Sequence, residues 1–189
     1  MVGPGDEPDS ELGPLISAAA RDRVRTLIDA GVDEGAELVC DGRGVTVEGH
    51  EQGFFVGPTL FDRVGTDMRV YQEEIFGPVL VVNRASSLDE AIGIVNANPW
   101  GNGAAIFTRD GGAARSFELS VSAGMVGINV PIPVPMSYYS FGGWKASLFG
   151  DIHMHGPEGV RFYTRGKVVS SRWPQDAETK IDLAFPTAT

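Results

Sequence analysis

The sequence predicts an α/β fold, a mostly parallel sheet flanked by helices, and three observations point there. Between residues 79 and 129, short apolar runs of strand length alternate with stretches whose apolar residues recur at helical spacing. Helix-starting residues stand in front of helical stretches: Ser17 before the first, and Ser87-Leu88-Asp89-Glu90 as a capping box before a later one. Gly35, Gly57-Pro58 and Gly77-Pro78 punctuate the chain where one element must give way to the next.

In chain order, residues 1–13 are acidic and rich in Gly and Pro, which predicts an extended lead-in. Ser17 caps a helix running to about Glu34, with Val24, Leu27, Ile28 and Val32 as its apolar face and Gly35 ending it. Glu37 to Cys40 reads as a strand, Asp41-Gly42-Arg43-Gly44 as a turn, and Val45-Thr46-Val47 as a second short strand. Phe54 to Phe61 continues extended, with Pro58 marking an edge or irregular strand rather than a central one. Val79 to Val82 is the next strand. Leu88, Ala91, Ile92 and Val95 form one face of a helix, Ala104 to Phe107 a strand, Ala113 to Val121 a helix and Met125 to Asn129 a strand. Ligands on such sheets gather at the carboxyl ends of strands, which directs attention to the loops after Phe107 and Asn129. Pro131-Ile132-Pro133-Val134-Pro135 is a rigid loop leading into Met136, Tyr138, Tyr139 and Phe141, suited to one wall of a pocket. Residues 160–171 read as a late β-rich strand, and the tail from Gln175 as mobile.

Composition excludes several functions. The chain of 189 residues is 42% hydrophobic and 21% charged, enough to bury a substantial core. A net charge of −10 without a basic run argues against nucleic-acid binding and against attraction to anionic membranes. No apolar run approaches the roughly 20 residues that span a bilayer. The first residues have neither the basic flank nor the apolar core of a targeting peptide, and a single cysteine suits a reducing compartment, so a cytoplasmic location is expected.

Few residues offer chemistry on their own. Cys40 is the only thiol; it sits beside Asp41 with no histidine near in sequence, and reads as a small structural apolar residue. His153 and His155 with Asp151 lack a third strong ligand, and read as loop residues, so no metal is expected. Gly101-Asn102-Gly103 and Gly142-Gly143-Trp144-Lys145 have the wrong spacing for a phosphate cradle. The informative stretch is Gln72-Glu73-Glu74-Ile75-Phe76-Gly77-Pro78-Val79. A fixed carboxylate accepts hydrogen bonds only and suits the paired hydroxyls of a ribose, while a phenyl ring offers a flat apolar face.

Several segments, in order, resemble the aldehyde dehydrogenase superfamily: Gly13-Pro14-Leu15-Ile16, Gly53 to Leu60, Glu73-Glu74-Ile75-Phe76-Gly77-Pro78-Val79 and Phe141-Gly142-Gly143-Trp144-Lys145. Asn98 to Thr108, Val126 to Pro135, Arg161-Phe162-Tyr163-Thr164 and Ser171-Arg172-Trp173 resemble its methylmalonate-semialdehyde dehydrogenase branch, which is CoA-acylating. The resemblance implies NAD as cofactor and coenzyme A as acyl acceptor. It implies that Glu74 binds the nicotinamide ribose, that Phe76 packs near the nicotinamide, and that Arg23 falls where the adenosine ribose is contacted. Pro131, Pro133, Met136, Tyr138 and Phe141 would line the substrate entry.

The same resemblance implies that these residues are the C-terminal part of the enzyme. Residues 1–155 would be part of the catalytic domain, 156–174 an oligomerisation strand and 175–189 a tail. The family's nucleophilic cysteine segment and nucleotide-binding domain have no counterpart here, so the chain alone is expected to be inactive. It would associate as a homo-oligomer, with an N-terminal segment, or with an intact subunit. A non-catalytic module that pairs with intact subunits, or a truncated relic, are the alternative expectations.

Overall fold

A computed structural model describes residues 1–171 and residue 173. The first helix, α1 (Ala18–Asp33), begins and ends as its terminal residues dictate: the Ser17 hydroxyl accepts from the Ala20 amide at 3.1 Å, and Gly35 leaves it at φ +93°. Val24, Leu27 and Ile28 are buried as the spacing predicts, but Val32 is exposed. Gly31 takes its place at the interface, because Phe61 and Val70 approach so closely that a side chain there would overlap both. Val24, Leu27 and Ile28 join Ala36, Val56, Phe61, Val64, Val70 and Ile75 in the first core cluster.

That cluster sits under a three-stranded sheet of β1 (Glu37–Cys40), β2 (Thr59–Asp62) and β3 (Val79–Val81), in the order β1-β2-β3. β1 runs antiparallel to β2 with an irregularity between Leu38 and Cys40, and β3 runs parallel to β2. Contrary to the reading of Pro58, the strand it introduces is the central one. The ladder begins only at Thr59, so the missing proline N–H falls outside it. The strand expected at Val45–Val47 does not form. Residues 42–57 are closed into a loop by a hydrogen bond from Gly57 N to Gly42 O at 2.9 Å, an approach that leaves no room for a Cβ at Gly42. β3 is an edge strand, and Leu80 on it is 63% exposed, so the strand after the Glu-Glu pair is only half-buried.

Between these strands lies α2 (Arg69–Gln72), one turn that delivers the chain to Glu73. The second half repeats the strand–helix alternation with β4 (Trp100–Gly101), β5 (Gly103–Ile106), β6 (Met125–Ile128) and β7 (Trp144–Lys145). α3 (Leu88–Ala97) starts at the expected cap, the Ser87 hydroxyl accepting from Glu90 N, while the Glu90 carboxylate accepts from Ser86. α4 (Gly111–Ser120) is capped by Asp110. Ile92, Phe117, Val121 and Ala123 form a second core cluster against the parallel pair β5–β6. β4 and β7 form a separate antiparallel pair. The sheet system is therefore mixed: parallel at β2–β3 and β5–β6, antiparallel at its other two pairings.

The strand expected over 160–171 is a correction. Residues Gly156–Tyr163 form α5, with Pro157 in its first turn, and 164–171 pair with no strand among the described residues. A strand needs a partner for its amides, whereas a helix satisfies them within itself, so β-rich composition without a neighbouring edge gives α5 and an irregular run. The tail expected at 175–189 lies outside the described residues. No helix among the described residues is long and apolar enough to cross a membrane.

Phe61 is fully buried at the centre of the first cluster, and Phe61→Ala should cost about 3–5 kcal/mol in urea unfolding followed by circular dichroism. A second expectation concerns acid. The carboxyl of Asp62, at the end of β2, is lowered from 3.8 to about 2, first by its hydrogen bonds from the Arg84 guanidinium and then by the Arg63 amide. A carboxyl depressed on folding adds stability above its unfolded value and loses it as the pH falls through the folded one. Stability should therefore drop between about pH 3.8 and about pH 2, and Asp62→Asn should flatten that part of a urea-midpoint versus pH curve.

Candidate cofactor-binding site

The turn Glu73-Glu74-Ile75-Phe76-Gly77 carries the site, and α1 holds it. Ile75 is buried in the first cluster and anchors the turn, which sends its neighbours Glu74 and Phe76 outward. The Arg23 guanidinium donates from Nη1 to Ile75 O at 2.8 Å and from Nη2 to Glu74 O at 2.7 Å. Its neighbour Val24 lies beneath Gly77, where a Cβ would come within 2.7 Å of Val24 Cγ2, so only glycine lets the turn settle on the helix. Phe76 has φ +54°, a left-handed conformation that costs a side chain on the order of 1–2 kcal/mol and persists because Arg23 and Ile75 fix the backbone on either side.

The two carboxylates do different work. Glu73 is tied to Arg69, Nε to Oε1 at 2.8 Å, and that hydrogen bond holds its carboxyl below the usual range. The Glu74 side chain makes no hydrogen bond or ion pair among the described residues and is exposed. It lines a cleft of about 590 Å³ with Tyr71, Gln72 and Glu73 on its own side and Asn98, Trp100, Asn102, Ala146 and Ser147 among the other lining residues. Phe76 is 82% exposed and lines a second cleft of about 530 Å³ with Leu15, Ile16, Ala20, Arg23 and Ile75. The turn thus presents, on either side of Ile75, a carboxylate with no partner among the described residues and an exposed phenyl ring.

Glu74 and Phe76 thus share one turn, and Arg23 reaches it from α1 but directs both terminal nitrogens to backbone carbonyls. It disperses the residues expected at the substrate entry. In the loop from β6 to β7, Pro133 packs over Gly103 and Gly127, and Phe141 stacks on His155 at 4.5 Å and 3°. Pro131, Met136 and Tyr138 are exposed. None of the five is among the residues lining the Glu74 cleft.

Sequence reasoning missed most of the opposing residues, and Lys145 behind them. Lys145 Nζ donates to Val95 O, Asn96 O and Asn98 O at 3.3, 3.0 and 2.9 Å, closing the end of α3. β7 pairs with β4, Ala146 N donates to Pro99 O, and Gly101 N donates to the Ser147 hydroxyl. The polar Asn102 between two glycines was the available signal for this wall. Cys40 is exposed rather than a core filler, its Sγ 3.3 Å from Pro58 O. It lies on β1, the opposite edge of the sheet from β3, into which Glu74 leads. His153 pairs with Glu158 at 3.5 Å. Among the described residues no three His, Cys, Asp or Glu side chains gather as a metal site.

The pattern of the aldehyde dehydrogenase family matches residues 1–169, and the chain belongs to that family. Within it, the chain is 57% identical over 187 residues to malonate-semialdehyde dehydrogenase of Pseudomonas aeruginosa, covering 98% of this chain and 38% of that protein. It is 53% identical to the mitochondrial acylating methylmalonate-semialdehyde dehydrogenase of Arabidopsis thaliana, covering 97% and 30%. Among solved structures, a methylmalonate-semialdehyde dehydrogenase from Sinorhizobium meliloti complexed with NAD superposes with TM-score 0.90 at 49% identity, over 94% of this chain and 36% of that one. Methylmalonate-semialdehyde dehydrogenase from Oceanimonas doudoroffii superposes with TM-score 0.89 at 51% identity, over 93% and 36%. The chain spans under two-fifths of the length of these relatives.

Arg23→Met removes both donors from the turn. Hydrogen exchange followed by mass spectrometry should show faster exchange in residues 74–77, with β2 unchanged and a stability loss of about 1 kcal/mol.

Proposed function

We propose that the chain forms the nicotinamide-ribose side of the NAD site in a malonate- or methylmalonate-semialdehyde dehydrogenase that passes its acyl group to coenzyme A. The observation that carries this reading is the turn in which Arg23 fixes the backbone between Phe76, which is exposed, and Glu74, whose carboxylate has no partner among the described residues. NAD, when bound, is the hydride acceptor. Glu74 accepts from the ribose hydroxyls, Phe76 covers a ring face and keeps water from it, and Arg23 holds both side chains in direction. The relatives' names and the NAD complex of the Sinorhizobium meliloti protein support the substrate class and the cofactor.

Acyl transfer through a thioester needs a thiol at the aldehyde carbon. Cys40 stands at the far edge of the first sheet, so this chain by itself is inactive and depends on a thiol and a nucleotide domain supplied by other residues. The lone cysteine also suits the cytoplasm. A second reading has its own support: Val168 and Val169 are exposed and pair with no strand among the described residues, and Val160, Phe162 and Tyr163 leave apolar surface exposed on α5, which favours docking on a second copy or an intact subunit.

The test is NADH formation from malonate semialdehyde, NAD and coenzyme A. The chain alone should give none. Adding the preceding segment of a malonate-semialdehyde dehydrogenase should produce turnover, which Glu74→Gln then reduces chiefly through a raised KM for NAD. Turnover by the chain alone would overturn the proposal. A gain in scattering mass with an intact subunit but no restored turnover would favour the docking reading.

A further inference from the structure

Five asparagines occur in the chain, and four have their side-chain amides committed to backbone groups. Asn83 donates to Val64 O; Asn96 donates to Ser120 O and accepts from Ser122 N; Asn98 accepts from Trp100 N; Asn129 both donates to Thr108 O and accepts from Thr108 N. Asn102 is the exception. Its side chain makes no hydrogen bond among the described residues, it is exposed, and it shares a cleft with Glu74. It is also the one asparagine followed by glycine.

The backbone at this point leaves the next amide unengaged. The chain bends at Asn102, between β4 and β5. In the parallel ladder, Met125 N donates to Asn102 O at 3.1 Å and Asn129 N donates to Ile106 O at 2.8 Å. Alternation along a strand then turns the Gly103 N–H to the other edge of β5. The β5–β6 sheet has two strands, so that edge has no ladder partner among the described residues. Gly103 has no Cβ to obstruct approach to the asparagine side chain.

We propose that Asn102 is a site of spontaneous deamidation, which adds a third carboxylate to the cleft that Glu73 and Glu74 line. The Gly103 nitrogen, giving up its proton to hydroxide, attacks Cγ of Asn102. The new bond from that nitrogen to Cγ closes a five-membered succinimide as the bond from Cγ to Nδ2 breaks; Nδ2 takes a proton from water and leaves as ammonia, which regenerates the hydroxide. One water then opens the ring at either carbonyl, giving aspartate or isoaspartate. No oxidant or reductant is needed, and the rate rises with pH because the attacking nitrogen must lose its proton. A further negative charge beside Glu73 and Glu74 opposes an anionic nucleotide and replaces a neutral amide that could donate to it. This last consequence rests on the cofactor reading of the cleft; the modification does not.

The 189-residue protein is held at neutral and at mildly alkaline pH and mapped by peptide mass spectrometry. The expected result is replacement of NH3 by H2O on the peptide containing Asn102, faster at the higher pH. Both aspartate and isoaspartate products should form, the other four asparagines should stay unchanged, and the shift should be lost in Asn102→Gln. An unchanged Asn102, under conditions where a synthetic peptide of residues 98–107 converts, overturns the proposal; so does equal conversion at Asn96 or Asn129. Nicotinamide mononucleotide binding, read by line broadening in its NMR spectrum, should be lost in the converted protein and in Asn102→Asp. Equal binding before and after conversion, or none by the unconverted protein, overturns the cofactor consequence and leaves the modification site standing.

Discussion

The double hydrogen bond from Arg23 to the carbonyls of Glu74 and Ile75 is the constraint on which the site depends. It bridges more than fifty positions of sequence and joins the first helix to the turn that enters β3. Two consecutive carbonyls at a turn with a left-handed residue have no ladder to enter, and a planar guanidinium can satisfy both at once. The position of Arg23 is itself set locally, by the cap at Ser17 and the glycine exit at Gly35 that fix where α1 starts and stops. Local capping chemistry near the first residues thus decides where two side chains point far along the sequence.

The separation of Glu73 from Glu74 follows from the same turn. α2 places Arg69 one helical turn before Glu73, where the pair closes on the surface and contributes little to stability. Its effect is one of assignment: it removes one carboxylate from competition and leaves its neighbour open to the cleft. In a protein of net charge −10, many carboxylates face solvent, and what distinguishes Glu74 is a backbone carbonyl held by Arg23 from α1.

How much could be read from the sequence divides along the range of the interactions. α1, α3, β5 and β6 were legible because caps and apolar spacing act within a few residues. The turn that exposes Glu74 and Phe76 was legible through a short contiguous stretch, Glu73 to Pro78. Val32 and Gly31 exchanged roles because the contact that buries Gly31 comes from Phe61 and Val70 across the sheet and α2. The strand expected over 160–171 failed for a related reason: β propensity describes a surface that fits a neighbour, and α5 formed where no neighbouring strand lies among the described residues. Most residues sharing the Glu74 cleft from the second half of the sequence were not legible, since Gly101 meets Ser147 and Asn98 meets Lys145 across almost fifty positions with no shared motif.

Lys145 shows what such a long contact does to the end of a helix. Its ammonium donates to the carbonyls of Val95, Asn96 and Asn98, which occupies all three of its protons at the negative end of α3. The last carbonyls of a helix have no intrahelical donors, so a side chain from β7 supplies the cap that ends α3. Strand and helix end are thereby clamped into one unit, and a displacement of β7 would unfasten α3 at the same stroke.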